Sequence, residues 1–156
     1  MANILKSKTN PYGEWLGQYE WDYFCTFTTR YPLTLKSARR LMYRFFDMRA
    51  SADKNSPRLI ERMFWAAEPF DTREGYHTHG LMRIRNDLAV TVPFKMITEM
   101  YQVAAGNADL EKSKWHRIQL RKYNKKLGAT YYCGKYITKE LSDYDMYSLL
   151  TNVDNS

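Results

Sequence analysis

The sequence predicts an α+β domain, an antiparallel sheet with helices packed mainly on one of its faces. Three observations predict it. Strand-like segments alternate with helical ones, a short polar turn joins two of the strands, and no repeat, low-complexity segment or linker divides the 156 residues. One domain is expected over 1–156, with its core at about 21–141 and peripheral segments at 1–20 and 142–156. A chain of that length can bury a core without disulfides or a structural metal.

Residues 1–20 are polar, contain Pro11 and Gly13, and read as an extended lead-in. Asp22 to Thr29 (DYFCTFTT) is aromatic and β-branched, as a buried strand would be, and Pro32 ends it. From Leu35 the apolar positions Leu35, Ala38, Met42, Phe45 and Met48 recur at helical spacing, widened by Leu41 and Phe46. With Thr34 as N-cap, this helix is expected to reach about Ala52, followed by a loop over 53–58. Arg62 to Pro69 and Tyr76 to Arg85 read as two strands of a hairpin across the turn 70–75, where Asp71 and Gly75 supply the turn chemistry. Asn86-Asp87 breaks the second of them.

Pro93 opens a helix carrying Phe94, Ile97, Tyr101 and Ala104 that stops near Gly106. Trp115 to Tyr123 alternates apolar and basic residues, as a half-exposed strand does. Gly128 precedes a last helix from about Ala129 to Leu141, with a weaker helical tail behind it. The order β-α-β-β-α-β-α, with one central hairpin, makes a ferredoxin-like arrangement the natural expectation.

Twenty-four Lys and Arg against 17 acidic residues give a net charge of +7, and aromatic residues reach 15 % with 13 tyrosines. Basic charge attracts a phosphate backbone and flat rings stack on unpaired bases, although a solvated basic surface has the same composition. Cys25 and Cys133 are too few for a disulfide framework or a four-cysteine zinc module, and a reducing, intracellular (cytoplasmic) compartment is expected. No signal peptide or membrane span is expected from the apolar runs, and no membrane partner.

His77 and His79 are separated by one residue in the third strand, so both imidazoles project from one face. Taken alone, such a pair reads as two histidines on a wet strand. Glu68, near the end of the preceding strand, can lie beside them across the turn. Two imidazoles and a carboxylate form a facial set with open positions for water and phosphate oxygens. The other reading pairs Glu68 with Arg73 or Arg83 at a solvated edge, but Trp65-Ala66-Ala67 before it points to a buried strand, where an unpaired carboxylate is costly. In the last helix Tyr132, Lys135, Tyr136 and Lys139 share one face at i, i+3, i+4 and i+7. Phenols and ammonium groups on one stripe suit a phosphate, and equally a tyrosine-rich face docked on the sheet with snorkelling lysines. Arg83, Arg85, Arg117, Arg121 and Lys122, interleaved with Trp115 and Tyr123, can guide a single strand. His116 reads as a surface histidine. No P-loop is present, so no helicase motor accompanies these groups.

Phe24-Cys25-Thr26-Phe27-Thr28, His77-Thr78-His79 and Tyr132-Cys133-Gly134-Lys135, in this order, resemble the three motifs of the HUH endonucleases, in their rolling-circle replication initiator (Rep) branch. The resemblance covers about Trp21 to Lys139. Thr78 departs from it, being less hydrophobic than the family's usual middle residue. The resemblance implies a nuclease that nicks and rejoins single-stranded DNA at an origin or hairpin, with Mg²⁺ or Mn²⁺ on Glu68, His77 and His79. It implies attack by Tyr132, a 5′-phosphotyrosine link, Lys135 beside the phenol, and a separate helicase supplied by the host. Tyr136 matches the second tyrosine of some phage initiators. A single-tyrosine HUH transposase and a non-catalytic single-stranded nucleic-acid-binding module are the alternatives.

Overall fold

The computed structural model describes residues 11–49, 55–85, 94–106, 117–124 and 143–149. Five strands form one antiparallel sheet in the order β4-β1-β3-β2-β5: β1 (Tyr23–Thr28), β2 (Ile60–Pro69), β3 (Tyr76–Ile84), β4 (Arg117–Lys122) and β5 (Tyr144–Ser148). Helices α1 (Pro11–Gly17), α2 (Leu35–Phe46) and α3 (Phe94–Gly106) pack against it. The first four strands and the two crossover helices have the ferredoxin-like order that the sequence predicts. No helix among the described residues is long and apolar enough to cross a membrane.

Alternation along the strands sorts side chains into two layers. Tyr23, Cys25, Phe27, Met63, Trp65, Ala67, Met82 and Ile84 face α2 and α3, where Leu41, Met42, Phe45, Ile97 and Tyr101 complete the larger core. Phe64, Ala66 and Leu81 face the other way, covered toward one end of the sheet by Leu16 of α1 and by Trp21. Buried Arg62 is enclosed on that side, its guanidinium 4.4 Å from the centre of the Tyr19 ring and 5.9 Å from that of Trp21. The two rings offset part of the cost of burying its charge.

Three elements differ from the sequence expectation. The lead-in is not wholly extended, because 11–17 is helical. Pro11 fits a first helical position, and Leu16, fully buried, anchors a helix too short to display a periodic stripe. Helix α2 stops at Phe46 rather than near Ala52, where Asp47 caps it and its carboxylate takes Arg58. Its start is as expected: Ser37 N donates to Thr34 Oγ1 at 3.0 Å and Thr34 N to Ser37 Oγ at 2.8 Å, a capping box. Residues 144–148, expected as a weak helical tail, form edge strand β5 instead, paired with Arg62–Ala66 of β2. The helix expected over 129–141 lies outside the described residues.

Gly80 stands where the backbone of β2 leaves no room for a side chain on β3. A Cβ there would lie 2.6 Å from the Phe64 carbonyl oxygen and 3.2 Å from the Phe27 ring. The first contact is with backbone of a central strand, which cannot step aside. Gly80→Ala is expected to cost about 1–3 kcal/mol, the usual penalty of overpacking. A thermal melt should fall by roughly 3–10 °C at this chain length; an unchanged midpoint would contradict the close approach.

Candidate metal centre

Glu68 of β2 and His77 of β3 are register partners across the hairpin, and His79 stands opposite Ala66 on one side and Thr26 of β1 on the other. All three side chains therefore project from the face opposite α2 and α3. His79 Nε2 lies 3.1 Å and His77 Nε2 3.8 Å from Glu68 Oε2. One ligand atom from each of the three residues falls within 4.8 Å of the others. Neighbouring ligands at about 2.1 Å from one octahedral ion are roughly 3 Å apart, so a small contraction closes the set on a metal. Two imidazole nitrogens and one carboxylate oxygen fit a divalent first-row ion or Mg²⁺ with open positions left over.

The surroundings hold the imidazoles in place. Thr26 Oγ1 is 3.3 Å from His79 Nδ1, an acceptor for Nδ1–H that leaves Nε2 as the nitrogen to meet an ion beside Glu68. The Phe24 ring lies parallel to His79, within 7° and with centroids 6.4 Å apart. Phe70 packs on His77 at 4.6 Å, and the Arg73 guanidinium covers Phe70 at 4.0 Å. Arg73 also donates to the Thr29 carbonyl at 2.7 Å, which ties the hairpin turn to the end of β1. Gly75, at φ 101°, closes that turn.

Of the two sequence readings of Glu68, the geometry has the one with the histidines. Arg73 is directed to backbone carbonyls, and Arg83 pairs with Glu61 at 3.3 Å and Glu20 at 3.6 Å. Arg83 itself is 9 % exposed. Arg117 and Arg121 are exposed on edge strand β4, opposite Thr28 and Phe24, and share the face of the histidines. Lys122 is exposed but alternates to the other face, and Arg85 is half-buried just beyond the end of β3. Tyr132, Lys135, Tyr136, Lys139, Trp115 and His116 lie outside the described residues.

The first-strand motif carries no assigned role in the sequence, yet it supplies Thr26 and Phe24 to His79. Its signal was alternation, because Phe24, Thr26 and Thr28 share one face of β1. Thr26→Val keeps the shape and removes the acceptor. It is expected to weaken Mn²⁺ binding about tenfold by calorimetry, the low end for an outer-shell partner, and Thr26→Ser should restore it. Equal affinity in the wild type and Thr26→Val would remove Thr26 from the centre.

Comparison with protein-family models, with curated proteins and with solved structures found no match to this chain.

Proposed function

We propose that this protein is a metal-dependent endonuclease of the HUH type, a replication initiator that nicks and rejoins single-stranded DNA at an origin through Tyr132. The observation that carries the reading is the convergence of Glu68, His77 and His79 on one sheet face, for which a non-catalytic binding module has no use. Glu68, His77 and His79 would hold Mg²⁺ or Mn²⁺, which would supply Lewis-acid polarisation of a phosphate and stabilise its developing charge. Tyr132 Oη attacks the scissile phosphorus, the bond from phosphorus to the 3′ oxygen breaks, and the phenolic proton ends on the released 3′-hydroxyl. The 5′ end stays esterified to tyrosine. Since a 3′-hydroxyl can attack that ester, cutting and joining are one reaction run in two directions. Lys135 stabilises the phenolate or the phosphate, and Arg117 and Arg121 guide the strand along β4. Duplex opening falls to supercoiling or to a separate host helicase.

The test is a covalent adduct. Incubation with a random-sequence pool of labelled single strands and Mn²⁺ should give a protein–DNA species that survives a denaturing gel. Cleavage that leaves free 5′-phosphates and no adduct would replace tyrosine by water as nucleophile and overturn the reading.

A further inference from the structure

Helix α2 presents to solvent a face that the metal centre does not use. Its twelve residues include Lys36, Arg39, Arg40 and Arg44 and no acidic residue. The buried stripe of Ala38, Leu41, Met42, Phe45 and Phe46 points to the sheet, which leaves the cations on the other side. Lys36, Arg40 and Arg44 follow one another at four-residue steps, a row with charges about 6 Å apart along the axis. Next to the row Tyr43 is 51 % exposed, one edge resting on Tyr147 with centroids 5.4 Å apart. Between α2 and β5 lies a groove of about 560 Å³ lined by Arg39, Arg40, Tyr43, Arg44, Asp145 and Tyr147.

Two carboxylates border this groove, and one guanidinium holds both. Arg39 donates to both Asp143 oxygens, at 3.0 and 2.8 Å, and to Asp145. Arg44 donates to the Ala104 carbonyl at 3.1 Å, a partner that fixes the guanidinium without cancelling its charge. Arg40 and Arg44 in the lining, with Lys36 one turn before Arg40 on the helix, make the balance positive, four cations against two carboxylates. A face kept only for solubility mixes both signs. The helix itself carries only cations, and beside them lie a concavity and an exposed ring, the combination that binds unpaired strands by phosphate contacts and base stacking.

We propose that the α2–β5 groove is a second contact for single-stranded nucleic acid, with phosphates on the Lys36–Arg40–Arg44 row and an unpaired base against Tyr43. An unpaired base, unlike one in a duplex, has a free face for the ring. The groove lies across the sheet from the metal ligands, so it would hold a part of the strand remote from the one that is cut. The contact does not depend on the nuclease chemistry.

The test is fluorescence anisotropy of the full chain with labelled oligo(dT) in EDTA. Lys36→Gln/Arg40→Gln should lower the slope of log affinity against log salt by about 1.4, the share of two phosphate contacts on a single strand. Tyr43→Ala should weaken binding about tenfold and Tyr43→Trp should retain it, as stacking requires. Mn²⁺ affinity and the melting temperature should stay at wild-type values, because these side chains point to solvent. Unchanged affinity and slope in all variants would overturn the proposal. So would an equal loss on duplex DNA or on a polyglutamate peptide, either of which makes the surface a general polyanion site. A protein that binds oligo(dT) through α2 but forms no adduct with the random-sequence pool and Mn²⁺ would leave this inference standing and end the nuclease reading.

Discussion

Removal of the metal with EDTA is expected to abolish cleavage, and His77→Ala combined with His79→Ala should do the same in the presence of excess Mn²⁺. The three ligand atoms sit on adjacent strands whose register is fixed by backbone pairing, so the imidazoles are held whether or not an ion is bound. Losing both nitrogens leaves a single carboxylate, which cannot compete with water for Mg²⁺ or Mn²⁺ at ordinary concentrations. Either single histidine variant should retain a small residue of activity. Glu68→Ala should lose least, because water can take the place of one oxygen ligand. Electron paramagnetic resonance of Mn²⁺ reads occupancy without any turnover and should follow the same ranking. Full cleavage by the double variant in EDTA would show that phosphate activation here owes nothing to these residues. Occupied Mn²⁺ with no cleavage by the wild-type protein on any single strand would instead separate a metal site from a nuclease.

How much of this was legible in the sequence depended on how local each signal is. His77 and His79 could be placed on one face from their spacing alone, and Glu68 could be brought beside them because a short turn fixes the hairpin register within a residue or so. Thr34 announced the start of α2 through a cap, whereas its end at Asp47 depends on Arg58, eleven residues away, and no pattern inside the helix reveals that. Strand β5 was missed for a related reason. Tyr144-Asp145-Met146-Tyr147-Ser148 has no strong period of its own and becomes a strand only because β2 offers it an edge and Arg39 takes the Asp143 and Asp145 carboxylates. Arg83 shows how burial escapes a local pattern. A basic residue in a strand reads as surface, but two glutamates from distant segments draw it inside.

The second large effect is expected at the nucleophile. Tyr132→Phe removes one oxygen, preserves ring packing, and should abolish the covalent adduct altogether. Four described tyrosines are poor rivals: burial raises the phenols of Tyr23, Tyr31, Tyr101 and Tyr147 above their usual range, which makes each harder to ionise. Tyr144 is a better control. It stands opposite Ala66, which itself stands opposite His79, and it is 38 % exposed on the face of the metal ligands. Two strand spacings put its backbone roughly 10 Å from that of His79, and its ring leans on Phe64, on the side of Ala66 away from Glu68. Tyr144→Phe should therefore leave the adduct intact. On the helix that the sequence predicts, Tyr131 is turned by about 100° from Tyr132 and faces elsewhere, while Tyr136 shares the face and can accept a second, successive transfer. Tyr136→Phe should accordingly preserve the first cut. Peptide mapping of the adduct by mass spectrometry decides among the four residues. DNA found on Tyr131, Tyr136 or Tyr144, with Tyr132→Phe still active, would move the nucleophile and leave the metal centre where it is.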